Sequence, residues 1–380
     1  VPSEKLTNFN FGFNLKKMIK RSLLPMLKTL KKFIFSLIFT TSLAQAGLFK
    51  LINVKGQGVV DDTQAQAIAT LVSEQVNKNL PSADTQTDFF KGMSNANTIS
   101  AAGTTTSYAP VYKNFLLGLT VSAGADLGAK KFTDFKNITQ NPEQFKGFGF
   151  QAAIILGLNA NNFFKASWLE AHPLNFYLAG FGLNRSFKEV NAKYFGAGIG
   201  LQYKIFNEKN WGSKSFKWTG LDLSTGFMYS KLDVGATIPL DDSFTVESNG
   251  TPFDVTVSNA SALLNANVKT LSVPLEVSSG VRILYTLKLI AGIGADISLG
   301  STSGNGSLSP GNTISAVNGA DGMKAVGELA LDGSKGPDFI NPRFFLGPQI
   351  EFGVGSVFAT LHKSLNKNAI AVNSGVNFFW

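Results

Sequence analysis

The stretch AIAVNSGVNFFW, residues 369–380, alternates with a period of two. Ile370, Val372, Ser374, Val376, Phe378 and Trp380 share one face, and Ala371, Asn373, Gly375 and Asn377 share the other. Side chains of a β-strand point alternately to its two sides, so this is a strand with one greasy and one small, polar face. An edge strand that ends on Phe-Phe-Trp in water invites aggregation. Lipid against the greasy face and a paired strand on each edge remove that objection.

The same dyad pattern fills the chain upstream. The first run places Phe115, Leu117, Leu119 and Val121 opposite Gly118, Thr120, Ser122, Gly124 and Asp126. Eight further runs begin near residues 147, 175, 195, 221, 271, 287, 344 and 357, and 370–380 is the tenth. Each is close to the roughly 9–11 residues that a tilted strand needs to cross hydrocarbon. With both ends of the series on one side, the connections near 129–145, 185–192, 234–264, 300–341 and 365–368 face outward. Those near 159–173, 207–216, 279–282 and 355–356 face the periplasm. Outer connections are mostly long and inner turns mostly short, as barrels of the outer membrane require. Trp168, Trp211, Trp218 and Trp380 all fall at the periplasmic end, the place of an aromatic girdle.

Val376, Phe378 and Trp380 resemble the closing strand of Gram-negative outer-membrane β-barrel proteins, which end on an aromatic residue with apolar residues at alternate positions before it. The resemblance implies recognition of this strand by the barrel-assembly machinery and contact with outer-membrane lipid and lipopolysaccharide. The fold expected is all-β: a closed antiparallel transmembrane barrel of about ten strands over 111–380. An added hairpin around 324–331 would make twelve.

Composition agrees. Only 16% of residues are charged, below the roughly 25% of soluble domains, and cysteine is absent. The net charge of +9 looks like a nucleic-acid footprint until it is located. Residues 1–46 hold eight basic side chains and one acid; the remainder carries 26 basic and 24 acidic side chains, so no nucleic-acid partner is expected. Lys28, Lys31 and Lys32 precede the apolar run FIFSLIFTTSL and then Ala44-Gln45-Ala46. A basic start, a short apolar run and an A-x-A end read as a secretory signal over 1–46, with an over-extended start. Eleven apolar residues are too few to cross a bilayer as a helix.

Residues 47–110 read as a periplasmic or plug-like segment. Its helix over 62–80 carries Ala65, Ile68, Ala69, Val72, Val76 and Leu80 at helical spacing. Residues 82–107, rich in Ser, Thr, Asn, Ala and Gly, read as a linker.

The polar lumen-lining set is Asp126, Gln151, Gln202, Lys204, Asp222, Glu276, Lys288, Asp296, Gln349, Glu351 and His362. Charges of both signs in a narrow barrel can line a water path or pair and close it. The many inward glycines argue that water or the N-terminal helix occupies the space. Asp126 and Asp296 sit in matching Ala-Gly-Ala-Asp fragments, which can bind a cation or be similar strands with similar solutions. His362 and Ser364 resemble, in two residues, the active-site strand of outer-membrane lipid A deacylases, but the surrounding pattern is lacking and a lumen-lining histidine is preferred. Phosphate loops, metalloprotease helices, EF-hands and nucleophile elbows are absent from the sequence, so no enzyme, cofactor or metal is expected. The expected function is a narrow or gated pore for small solutes; the alternative is a non-conducting barrel whose loops 234–264 and 300–341 bind a surface partner.

Overall fold

The computed structural model describes residues 48–56, 62–79, 83–104, 108, 114–128, 146–164, 166–187, 190–211, 213–248, 251–284, 286–308, 313–317, 323–330 and 333–380. The expected signal lies outside them.

Ten strands close into one antiparallel ring. In chain order these are β2 (Phe115–Asp126), β3 (Gly147–Asn159), β4 (Leu174–Phe187), β5 (Val190–Phe206), β7 (Ser213–Ser248), β8 (Thr251–Ile283), β9 (Leu287–Leu308), β13 (Ile340–Phe352), β14 (Gly355–Ser364) and β15 (Ala369–Phe379). Each pairs with its neighbour in the series. β15 returns to β2, from Ala369 opposite Asp126 to Phe379 opposite Leu116. The terminal stretch is therefore a strand paired on both edges, with no open edge of its own to seed aggregation. All ten dyad runs are ring strands.

Side-chain exposure follows the alternation. Along β2 every second side chain is exposed and its neighbour buried. Leu117, Leu119, Ile154, Leu156, Ile199, Phe227, Leu289, Ile293 and Val372 stand exposed on the outer surface. A closed barrel with so much apolar side chain turned outward is stable with lipid around it, which makes this an integral outer-membrane β-barrel.

Three expectations about the strands and their connections need correction. Residues 234–264 are not a loop: β7 and β8 run 36 and 33 residues and stay paired to Ser248 opposite Thr251. Cross-strand hydrogen bonds extend that hairpin far above the membrane. The turn expected at 279–282 lies inside β8, and the chain turns between Ile283 and Leu287. The hairpin around 324–331 does not enter the ring; β11 (Met323–Ala330) pairs with β1 (Leu48–Gly56). β10 (Thr313–Val317) and β12 (Gly333–Lys335) pair onto outer parts of β8 and β9. At the opposite end β6 (Lys209–Trp211) pairs with β7, and the short helix α3 (Ser167–Ala171) carries Trp168.

Helix α1 (Asp62–Asn79) buries Ala65 and Ala69. The segment read as a linker is a second helix, α2 (Ala83–Ala101), and residues 92–104 of it and its cap are all buried. Its small polar side chains give no apolar stripe because the surface that receives them is itself polar. Gly103, at φ +79°, takes the left-handed conformation that ends the helix, and the Thr104 amide donates to the Ala101 carbonyl.

Candidate functional site

The inward glycines have an occupant. A Cβ on Gly149 would lie 2.3 Å from the Asn97 nitrogen and 2.4 Å from the Ala96 carbonyl carbon. One on Gly124 would lie 2.6 Å from the Ala96 oxygen. Gly124 and Gly149 face each other across β2 and β3 and form a trough in which the α2 backbone lies.

Polar contacts fix the helix from other sides. Asn97 Nδ2 donates to Ser230 Oγ at 2.9 Å and Thr270 Oγ1 at 2.7 Å, and Gln151 Nε2 donates to Asn97 Oδ1 at 3.0 Å. Ser94 Oγ and Thr302 Oγ1 are 2.6 Å apart. Asn373 Nδ2 donates to the Ala102 carbonyl. Within the helix, Ser100 and Thr98 return their hydroxyls to the carbonyls of Ala96 and Asn95, so neither hydroxyl is stranded.

The direction of the chain follows from these contacts. Phe89 and Phe90 pack with Leu232, Val234 and Val268 at the outer mouth, Tyr108 sits between Phe345 and Phe358, and the Asn114 amide donates to the Trp380 carbonyl at the periplasmic end. β1 pairs with β11, inside the outer connection between β9 and β13. The segment read as periplasmic or plug-like thus divides: β1 is at the outer mouth, and α2 descends through the lumen.

A latch holds the upper turn of α2. Lys91 Nζ is 2.8 Å from Asp338 Oδ1, and Lys367 pairs with the same carboxylate. The Asp338 amide donates to Asn95 Oδ1 at 2.9 Å, and Lys367 Nζ donates to that oxygen at 3.1 Å. Partial burial works to raise the Asp338 carboxyl, but hydrogen bonds from Lys367 and Lys91 outweigh it and hold it below the usual carboxylate value.

Below the helix, Arg343 is the centre of a buried charge cluster. Its Nε donates to Asp296 at 3.0 and 3.1 Å, its Nη2 to Glu276 at 3.1 Å and its Nη1 to His362 Nδ1 at 3.1 Å. Tyr108 Oη donates to Glu276 at 3.3 Å, and the His362 ring stacks on Phe345 at 4.9 Å. Lys204 pairs with Asp222 at 3.2 Å, and Lys288 Nζ donates to the Tyr108 carbonyl. Arg282 pairs with Glu351 at 3.0 Å. Asp126 accepts from Asn95, and Gln202 accepts from Tyr177 at 2.5 Å. The two carboxylates of the matching fragments are thus held by different partners, Asn95 and Arg343. His362 and Ser364 likewise have separate partners, since the Ser364 hydroxyl lies within hydrogen-bonding distance of the side-chain oxygens of Asn341 and Asn366, one of which it can serve at a time. Among the described residues no His, Asp and Glu cluster could hold a metal ion.

Arg343, Asn97 and Tyr108 were absent from the sequence-derived set. Arg343 was within reach: it precedes the inward Phe345, Gly347 and Gln349 by one dyad step. Asn97 and Tyr108 had no such signal, because the partners that place them, among them Thr270 and Glu276, are brought near only by the folded chain.

One wall is split. β3 pairs with β4 only from Ile154 opposite Gly180 to Asn159 opposite Asn175, so their outer halves separate. Phe148, Phe150 and Ala152, on the outward parity of β3, cover this seam. Tyr194 Oη donates to Gln151 Oε1 at 2.7 Å, and the Phe150 and Phe181 rings lie 5.8 and 6.3 Å from the Tyr194 ring. Aromatic packing there replaces the missing ladder.

At the periplasmic rim Trp380 and Phe115 lie 6.1 Å apart, Trp218 donates to Ser279 Oγ at 2.8 Å, and Trp168 is exposed on α3. Trp211 is in β6 at the same end. Phe378 is exposed and Val376 partly exposed on the outer face of β15.

A family model described as Lsa36-like matches residues 53–380. The chain belongs to this family. The match takes in α1, α2 and the whole ring, so the plugging helix is part of the family's unit. No curated protein matches the Lsa36-like chain in sequence. Among solved structures it is similar to the translocator domain of the autotransporter NalP from Neisseria meningitidis, with 12% identity, 71% of this chain and 90% of that chain covered, and a TM-score of 0.31. The transport unit of the autotransporter AIDA-I from Escherichia coli gives 7% identity, coverage of 74% and 96%, and a TM-score of 0.31. Omp33 of Acinetobacter baumannii gives 10%, 72% and 100%, and 0.25.

Proposed function

We propose that this Lsa36-like protein is a non-enzymatic barrel held closed by its own helix, which presents its tall outer loops and β1 at the cell surface for a partner to bind. The observation that carries this reading is the complete burial of residues 92–104 inside the ring. A lumen filled by a helix whose backbone touches glycine backbone has no room for solute flow, while the paired β7 and β8 extension offers a stiff surface well above the lipid. The outer face of β15, with Val376, Phe378 and Trp380, is the surface that assembly machinery would engage.

A gated pore is the second reading, and one observation favours it. Ser122 Oγ, both amide atoms of Gln349 and Asn377 Oδ1 are buried without a protein partner among the described residues. Groups of this kind are expected to face water. In that case α2 is the gate, and small solutes pass when it moves.

Two measurements test the proposal. The chain has no cysteine, so single replacements report position cleanly. Lys55→Cys in β1 should react with an impermeant maleimide on intact cells, while Lys209→Cys in β6 should not; the reverse pattern refutes surface display. Refolded protein should be silent in planar bilayers. Stepwise conductance that vanishes when a Ser94→Cys/Thr302→Cys disulfide pins the helix would establish the gated pore instead.

A further inference from the structure

We propose that the outward wall of β5, β7, β8 and β9, immediately above the apolar belt, is a binding site for the phosphorylated saccharide headgroup of a membrane glycolipid. The site depends on the orientation of the barrel and not on whether the lumen conducts.

The register draws the boundary. On the outer face Tyr229, Leu271 and Leu299 stand in one row across three strands, and they are exposed. The next row up is Phe195, Lys231, Lys269 and Ser301. Above it come Lys193, Asp233, Asn267 and Ser303, and then Asn191, Gly235, Asn265 and Asn305. Within one dyad step the wall changes from apolar to basic, and within two more it becomes amide-rich. A phosphorylated glycolipid of the lipid A kind has acyl chains lowest, phosphates borne on the acylated sugars, and sugar hydroxyls beside and above them, which matches this order of rows.

The charges are arranged for an anion that the chain does not supply. Lys231 and Lys269 are directly opposite on β7 and β8. Like charges in that position repel and destabilise a sheet. Lys193 stands across from Asp233, the one acid of these rows, which already lies 3.0 Å from Lys231 Nζ and accepts from Asn267. Three cations therefore share one carboxylate. A phosphate between Lys231 and Lys269 would turn the repulsion into attraction.

The amides complete the match. A recess of about 810 Å³ opens on these rows, lined among others by Lys193, Asn191, Asn265, Asn267 and Asn305. A carboxamide donates and accepts at once, as a sugar hydroxyl does. Gly235, at the centre of the upper row, has no side chain to fill the hollow, and a Cβ there would meet Asn265 Oδ1 at 2.8 Å.

The test uses the full refolded chain in detergent, with native mass spectrometry reading occupancy. The probes are bisphosphorylated lipid A, dephosphorylated lipid A, phosphatidylglycerol and soluble glucosamine phosphate. Bisphosphorylated lipid A should bind best. Lys231→Gln and Lys269→Gln should each weaken it about fivefold, the effect of removing one basic residue near a charged membrane surface. Asn265→Ala and Asn305→Ala should weaken lipid A and leave phosphatidylglycerol unchanged, and Lys209→Gln should change neither. All these residues are exposed or half-exposed, and a heat-induced shift in gel mobility equal to that of the unmutated chain verifies folding. Equal binding of lipid A and phosphatidylglycerol, or binding indifferent to both lysines, overturns the proposal in favour of ordinary lipid contact. Tight binding of the soluble phosphosugar overturns it in favour of a soluble ligand.

Discussion

Replacing Gly149 by alanine should push α2 off the barrel wall. The added methyl would lie 2.3–2.4 Å from Asn97 N, Asn97 Cα and Ala96 C, all helix backbone, so no side-chain rotation relieves the clash. Overpacking of this kind costs about 1–3 kcal/mol. The gain from removing a glycine from a strand applies equally whether the helix is docked or not, and it cancels from the docking equilibrium. About 2 kcal/mol against docking is roughly a thirtyfold rise in the undocked fraction. Thr98, which is 1% exposed, provides the assay: Thr98→Cys in a chain without native cysteine reacts with maleimide only when the helix leaves. Where opening is fast, labelling tracks the open population, so Gly149→Ala should speed it about thirtyfold. Gly182→Ala is the control, because its Cβ would meet only the Tyr194 oxygen at 4.0 Å. Equal labelling rates for Gly149→Ala and wild type would refute the trough as the seat of the helix.

Two further outcomes follow from the charges. Arg343→Met removes the only cation bonded to Asp296 and Glu276 among the described residues, leaving two buried carboxylates unpaired, and should cost about 3–5 kcal/mol in urea unfolding; Arg343→Met/Asp296→Asn/Glu276→Gln should recover most of it. A single-variant loss below about 1 kcal/mol would mean the cluster is open to water. Asp338→Asn breaks the latch to Lys91 and Lys367, part-exposed pairs worth together about 1 kcal/mol after screening. Because the folded carboxyl lies below the usual 3.8, its contribution is present above that value and lost as pH falls through the lower folded value. The stability gap between Asp338→Asn and wild type should stay constant from about pH 5 to 9 and close below 3.8. A gap that closes near neutral pH would assign the latch to another group.

The dyad period decided a great deal without coordinates. An alternation such as that of 369–380 is a local property of the backbone, and the need to hide every strand edge turns ten such runs into a closed ring. The same parity assigns the polar residues to one face of each run and the tryptophans to one end of the series. What fills the ring did not follow. Residues 82–107 have no periodic signal because α2 is buried on every side from residue 92 onward, against a wall that is polar in one place and apolar in another, so no single face needs to be greasy. The fit depends on Gly124 and Gly149, tens of residues further along, and on Ser230 and Thr270, more than a hundred residues away. The height of the β7 and β8 hairpin, the seam between β3 and β4 and the three-lysine wall are likewise products of cross-strand register. Period fixes which side of a strand is wet, whereas register decides which distant side chains meet there, and only the folded chain sets the register.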